Sequence, residues 1–242
     1  MNIGGYHQDS SGARPAGCGG SVLSGMTMDW VDPTTLGQIG PARSVVLEPL
    51  EPRHAGDLHA CADPELFRHS MQNPLEWSVR GFQEEMERVK AIAGVVAFAI
   101  VAREGRNAGR AIGRTTYMDI KPEHRGLEIG RTWISRAYHG TRVNPEIKYM
   151  MLRHAFEGIS PPAMRVQITT SGTNLHSQAA IAKLGAVREG VHRKARILPP
   201  NAARPNPEVR DWVVYSILDD EWPTVRARLE DRLTGMKPLD EQ

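Results

Sequence analysis

The chain has 242 residues, 40% of them hydrophobic and 24% charged, an ordinary balance for a folded protein that buries a real core. With 30 Lys plus Arg against 28 Asp plus Glu, the net charge of +2 lacks the basic excess of a protein that coats nucleic acid. No apolar run approaches a membrane span and no basic-then-apolar leader opens the chain, so the expectation is a cytoplasmic protein with neither nucleic-acid nor membrane partners.

Cys18 and Cys61 form no CxxC pair and no disulfide framework, and Cys61 reads as a small core residue. The nine histidines show no metal-ligand spacing, so no metal is expected. Residues 1–40 are rich in Gly, Ser and polar side chains without periodicity and read as a disordered leader, with Met26 or Met28 as an alternative start.

Ser44 to Leu50 reads as a first strand, ended by Pro49 and Pro52. A short helix over His54 to Ala62 turns Ala55 and Leu58 inward, and Asp63-Pro64 breaks the chain. Ser78 is a good N-cap for a second helix, in which Glu84-Glu85 precede Arg88 and Lys90, the order that the helix dipole favours. Val95 to Val101 is a buried strand, and Gly105 to Gly109 a turn. Ala111 to Ile120 is the hairpin partner, and Pro122 to Arg125 is a further turn.

The central stretch, 126–158, predicts a strand over Leu127 to Ile134, a loop over Tyr138 to Val143, and a helix opening at Asn144-Pro145. Asn144 is the expected N-cap and Pro145 the first helical residue. Glu146 suits the first turn. Ile147, Met150, Met151 and Ala155 form one apolar face, and Gly158 is the expected C′ residue. A strand that runs through a glycine loop into a helix N-terminus points main-chain N–H groups outward, where they can hold a phosphate.

Arg165 to Thr169 is a further strand, joined to the central one by a connection long enough for a parallel crossover. Thr173 to Ser177 opens a helix carrying Ala179, Ala180, Ile181 and Leu184, stopped by Gly185. Val187 to Ile197 and Val209 to Leu218 are a last strand pair joined by the Pro-rich loop 199–207. Glu221-Trp222-Pro223 opens a closing helix with Val225, Leu229 and Leu233. The order β-α-α-β-β-β-α-β-α-β-β-α describes a mixed α/β single domain with one parallel βαβ unit.

Three patches carry a resemblance. They are Gly126-Leu127-Glu128-Ile129-Gly130-Arg131-Thr132-Trp133 leading into Gly140-Thr141-Arg142-Val143-Asn144-Pro145-Glu146, then Asn174-Leu175-His176-Ser177 with Lys183-Leu184-Gly185-Ala186, then Arg188-Glu189-Gly190-Val191 with Asp211 to Ser216. Together with the element order they resemble the GCN5-related N-acetyltransferase (GNAT) superfamily and its RimJ/RimL-type branch over roughly 44–235. The resemblance implies one GNAT-like domain over 41–235, between the leader 1–40 and a tail 236–242. Its sheet would be central and mostly antiparallel, with helices on both faces.

It also implies acetyl-CoA as donor, a primary amine (a protein N-terminus or a small molecule) as acceptor, and a possible homodimer. In the family's phosphate loop, Gln/Arg-x-x-Gly-x-Gly/Ala, Ala137 takes the first position here, Gly140 is retained and Arg142 replaces the second small residue. The favoured consequence is a wider loop in which the Arg142 guanidinium adds a phosphate contact.

The resemblance further implies roles for particular residues. Main-chain N–H groups near Trp133 and Ile134 would hold the oxyanion. Tyr138, His139, Gly140, Thr141, Arg142, Val143 and Asn144 would surround the diphosphate, with a solvated loop histidine as the alternative for His139. Asn174 would meet the pantetheine arm and Ser177 would protonate the leaving thiolate, although either could equally be an ordinary N-cap.

Trp133 and Tyr138 could line the acyl channel, and core packing is the alternative for Trp133. Glu128 is the preferred base and Asp119 the alternative. Acceptor pockets in the family are built from segments matching 64–80 and 192–210. Two other functions stay open. One is a non-catalytic CoA-binding regulatory module. The other is transfer from a longer donor such as succinyl-CoA, favoured by Arg142 or by the basic cluster Arg188, His192, Arg193, Lys194 and Arg196.

Overall fold

The computed structural model describes residues 44–239. The expected leader, Cys18 and the alternative starts lie outside the described residues. Seven strands form one sheet in the order β1-β2-β3-β4-β5-β7-β6. They are β1 (Val45–Pro49), β2 (Val96–Ala102), β3 (Ala111–Lys121), β4 (Gly126–Ile134), β5 (Arg165–Ser171), β6 (Val187–Leu198) and β7 (Glu208–Leu218). Among the described residues there are also five α-helices: α1 (Ala55–Cys61), α2 (Val79–Lys90), α3 (Val143–Arg153), α4 (Leu175–Ala182) and α5 (Trp222–Thr234). The order of strands and helices is the one the sequence predicts.

Two apolar layers cover the sheet. α3 and α5 pack on one face through Ile147, Met150, Met151, Val225, Leu229 and Leu233, against Leu127, Ile129, Val166 and Ile168. α1 and α2 pack on the other through Leu58, Phe82, Met86 and Val89, against Ala97, Ala99 and Trp133. Phe82, Met86 and Val89 recur at helical spacing, and the Ser78 hydroxyl caps α2 by accepting from the Gly81 N–H at 3.0 Å. Cys61 is partly buried against the α1/α2 layer, and burial pushes its thiol up to about 12. Among the described residues no helix is long and apolar enough to cross a membrane.

Three local expectations are corrected. α3 begins at Val143 with Arg142 in the N-cap position, because the Glu146 N–H already bonds the Arg142 carbonyl at 3.0 Å. Asn144 and Pro145 therefore fall inside the first turn, where a missing N–H still costs nothing. Gly158 is no left-handed cap: the helix widens into a π turn over His154–Gly158. A Cβ at Gly158 would stand 2.9 Å from the His154 ring, so close approach explains the glycine. Glu85 does not serve the α2 dipole at the surface. It is 2% exposed and paired with Arg114 of β3, itself 1% exposed.

Two features of β4 position everything that follows. It pairs in parallel with β5 at three positions only, Gly126 with Arg165, Leu127 with Val166 and Glu128 with Gln167, and then the strands part. On its other edge Arg114 pairs with Trp133 and Thr116 with Gly130, so Arg131 and Thr132 together oppose Thr115. This is a bulge, and Arg131 takes its left-handed conformation, with φ 50°.

Candidate functional site

Glu128 stands where β4 and β5 part, and it is 7% exposed. Thr169 Oγ1 donates to its Oε1 at 2.6 Å and Gln167 Nε2 to its Oε2 at 3.0 Å. Trp212 Nε1 in turn donates to Thr169 Oγ1 at 2.7 Å. The carboxylate is thus aimed by three residues from β5 and β7. An ionised carboxylate has about four lone-pair sites, so two bonds leave room for another N–H.

Asp119, near the end of β3, occupies another left-handed position. It is exposed and paired with Lys121 at 2.8 Å. The geometry therefore separates the two carboxylates, and Glu128 is the one beside the opening.

The loop after β4 reaches α3 through a short 3-10 turn, Arg136–Tyr138. Gly140 takes φ 79°, a conformation that suits only a residue without Cβ, and leads the chain into the helix. Thr141 Oγ1 donates to the Tyr138 carbonyl at 2.8 Å and accepts from the Val143 N–H at 3.3 Å. The main-chain N–H groups of Gly140, Arg142 and Asn144 find no acceptor among the described residues. Unpaired donors at a helix N-terminus can hold an anion, with the dipole favouring it, which makes this turn a candidate anion site.

The Arg142 side chain is not part of that site, which overturns its expected phosphate contact. It turns under the helix, is 5% exposed, and donates from Nε to Glu146 Oε1 at 2.6 Å and from Nη1 to the Met236 carbonyl at 3.3 Å. Glu146 is wholly buried and also accepts from the Ser44 N–H at 3.1 Å. An acid one helical turn ahead and buried beside it outcompetes an anion outside.

Four other expected side chains pack into the apolar layers on the two faces of the sheet. Trp133 packs against Phe67 and Phe82, with ring centroids 5.4 and 6.5 Å apart. Ile134 and Val143 are in the α3 layer. Tyr138 is buried and its hydroxyl accepts from Asn107 Nδ2 at 2.8 Å. These residues build the walls of the site. The Trp133 and Tyr138 side chains are both buried.

The first turn of α4 closes the far side. Asn174 is its N-cap, accepting from the Ser177 N–H at 3.1 Å. The capping alternative therefore holds for Asn174, whose Nδ2 remains available. Ser177 Oγ has no partner among the described residues. His139 of the loop stacks on His176 of α4, centroids 5.7 Å apart and planes 21° from parallel, while its Nε2 lies 3.0 Å from the Ile134 carbonyl. The two segments singled out in the sequence thus meet across one opening.

Lys148 is a residue that sequence reasoning missed. It is 6% exposed on α3, and its Nζ donates to Thr132 Oγ1 at 3.0 Å in the bulge. Burial pulls its ammonium down to about 7, with the field of Glu128 opposing. Its one signal is a lysine beside Ile147 in an apolar stretch. Thr169, Gln167 and Trp212 carry no signal, since an aiming role depends on register between distant strands.

The two segments expected to form an acceptor pocket are joined. Arg204, 1% exposed, donates from Nε to the Pro199 carbonyl at 3.0 Å and from Nη2 to the Ser70 carbonyl at 3.3 Å. Asn201 Nδ2 donates to the Phe67 carbonyl at 2.9 Å. The loop between β6 and β7 is fastened over the segment before α2. The basic cluster Arg188, His192, Arg193, Lys194 and Arg196 lies exposed along β6, the sheet's edge strand.

A family model described as an acetyltransferase (GNAT) domain matches residues 44–187. A crystal structure of a presumed acetyltransferase is 39% identical, with a TM-score of 0.71, covering 81% of this chain and 94% of that one. Another, from T. thermophilus, is also 39% identical, with a TM-score of 0.70, covering 79% and 95%. RimJ of Mycobacterium smegmatis, solved with CoA-disulfide, is 20% identical, with a TM-score of 0.64, covering 80% and 93%. None of the curated proteins matches the chain.

Proposed function

Because the chain belongs to the GNAT acetyltransferase family, we propose that this acyltransferase moves an acetyl group from acetyl-CoA to a primary amine, on a protein N-terminus or a small molecule. The observation that carries the proposal is the set of unpaired N–H groups at Gly140, Arg142 and Asn144, set beside the parting of β4 and β5. A diphosphate suits the first feature and a flat pantetheine arm the second. CoA bound to the M. smegmatis protein supports this donor, and the same likeness suggests the RimJ/RimL branch.

In this mechanism the amine attacks the thioester carbonyl. The C–N bond forms, the C–S bond breaks, and the electron pair leaves on sulfur. Glu128 takes the amine proton, aimed by Thr169 and Gln167. Main-chain N–H groups of the bulged strand hold the developing oxyanion. Asn174 Nδ2 binds the pantetheine amide, and Ser177 Oγ donates a hydrogen bond to the departing thiolate while relaying a proton to it from water.

Isothermal titration of CoA, followed by thiol release from acetyl-CoA over a panel of amines, tests this. CoA binding with amine-dependent thiol release supports the enzyme. Binding without release on any amine favours the non-catalytic module, and no binding removes both.

A further inference from the structure

Seven buried side-chain nitrogen atoms lack a hydrogen-bond partner among the described residues, and four of them share one patch: Arg114 Nε, Arg131 Nε and Nη1, and Trp133 Nε1. The patch lies on the α2 side of β3 and β4, where Arg114 pairs in register with Trp133. Arg114 directs its guanidinium to Glu85 and to the Arg131 carbonyl, the latter at 3.0 Å. Glu85 is thereby committed, and both oxygens of Glu128 accept from Gln167 and Thr169.

No carboxylate among the described residues comes within ion-pair distance of Arg131. Burial and the neighbouring Arg114 charge both pull the Arg131 pKa down, so the site holds this cation at a cost. Trp133 is 7% exposed, and its indole N–H is a second orphan donor two residues along the same strand. A half-buried guanidinium with two enclosed nitrogens and a buried indole N–H, these atoms lacking acceptors among the described residues, ask for the same thing: an anion with two oxygens. The fork of Arg matches a carboxylate better than any single donor.

We infer that Arg131 and Trp133 receive the carboxylate of a substrate, and that this substrate is a dicarboxylic acyl-CoA of the succinyl type. The inference rests on the reading that the cleft takes a CoA thioester, and it replaces acetyl-CoA by a dicarboxylic acyl-CoA as the preferred donor. Arg131 is on β4 itself, past Glu128, where the strand has left β5 and forms the wall along which an acyl chain runs. That placement favours the acyl group over the acceptor as the source of the carboxylate. It also moves the charge selection away from Arg142, which serves Glu146, and from the exposed β6 cluster. The transfer itself is unchanged: the amine displaces the thiolate, and the distal carboxylate remains intact as the anchor.

Isothermal titration of the full chain with CoA, acetyl-CoA and succinyl-CoA, for wild type, Arg131→Gln and Arg131→Lys, tests the inference. Wild type is expected to bind succinyl-CoA roughly ten- to a hundredfold tighter than acetyl-CoA, the range of a charge-assisted hydrogen bond. Arg131→Gln should abolish that preference and Arg131→Lys keep part of it, with the CoA dissociation constant of each variant reporting an intact donor site. If Arg131→Gln loses CoA binding altogether, the wild-type ratio and Arg131→Lys decide.

If wild type binds both thioesters equally, the CoA-loaded protein is titrated with amino acids and their carboxamides. A carboxylate preference there that Arg131→Lys weakens assigns the same pocket to the acceptor and overturns the acyl assignment. No preference in either arm overturns the inference entirely while leaving CoA binding standing. Failure of wild type to bind CoA overturns the underlying reading as well.

Discussion

Thr169 and Glu128 are joined across the parting of β5 and β4 by a 2.6 Å hydrogen bond, with Thr169 itself held by the Trp212 indole. A base in an acyltransferase must hold one direction while an amine approaches, and this bond supplies that restraint from the strand that is moving away. Glu128→Gln keeps the shape and removes proton acceptance. Turnover is expected to fall by about 10²–10⁴, the usual contribution of a general base. Steady-state kinetics beside CoA titration checks it. Wild-type turnover across the pH range would remove Glu128 from the mechanism.

Ser177 offers a different contrast. Its hydroxyl has no protein partner among the described residues, so Ser177→Ala should leave the melting temperature within about 1 °C. Turnover should nevertheless drop by roughly tenfold or more if the hydroxyl serves the departing thiolate. Asn174→Ala should instead cost about 1 kcal/mol of stability, because it removes the cap of α4. Thermal denaturation and kinetics on both variants separate the two roles.

The Arg142–Glu146 pair is buried on both sides, at 7% and 0% side-chain exposure. Arg142→Met takes away the buried cation that donates to Glu146 Oε1, an expected loss of about 3–5 kcal/mol. The double variant Arg142→Met with Glu146→Leu should be less destabilised than the sum of the singles. Urea denaturation of all three measures the coupling.

Lys148 makes stability depend on pH in a defined direction. Its folded-state value is pulled from 10.5 to about 7. Between these values the unfolded chain binds the proton and the folded chain does not, so stability rises with pH from about 7 to 10.5. The slope is at most about 1.4 kcal/mol per pH unit. Lys148→Met should flatten that window. Chemical denaturation at pH 7, 8 and 9 checks it, and a slope that persists in Lys148→Met refutes the assignment.

Gly113 allows the bulged strand to lie against β3. A Cβ there would press on the Trp133 carbonyl oxygen and stand 2.9 Å from the Ile134 Cα, both main-chain atoms that cannot yield like a side chain. Gly113→Ala should therefore cost about 1–3 kcal/mol. It should also weaken CoA binding, because β4 leads directly into the loop. Unchanged binding alongside lost stability would show that loop and strand move independently.

The order of elements was readable because hydrophobic period, Pro and Gly punctuation and the Ser78 cap each depend on neighbours in sequence. The start of α3 was misplaced because Asn144-Pro145 is a strong local signal, and it lost to the Glu146–Arg142 bond and to Glu146's need for a buried partner. Arg142 was misassigned for the same reason. From the sequence a cation in a phosphate loop points outward, and only packing reveals that an acid one turn on claims it. Trp133 and Tyr138 read as channel residues, yet their surroundings come from α1, α2 and the β2–β3 turn. Lys148, Arg131 and Thr169 matter through register, and register between β4, β5 and the bulge has no short-range signature.

Arg204 and Asn201 fasten the late hairpin loop to residues 67–70, about 130 positions earlier. Any redesign of what enters beneath that roof is therefore a two-segment problem. Grafting either loop from a relative alone would bring a foreign edge to an unmatched seam, and selection for a new acceptor should fix changes in both stretches together. The donor half, β4 through α4, lies between them in the chain and would pass through such an exchange untouched.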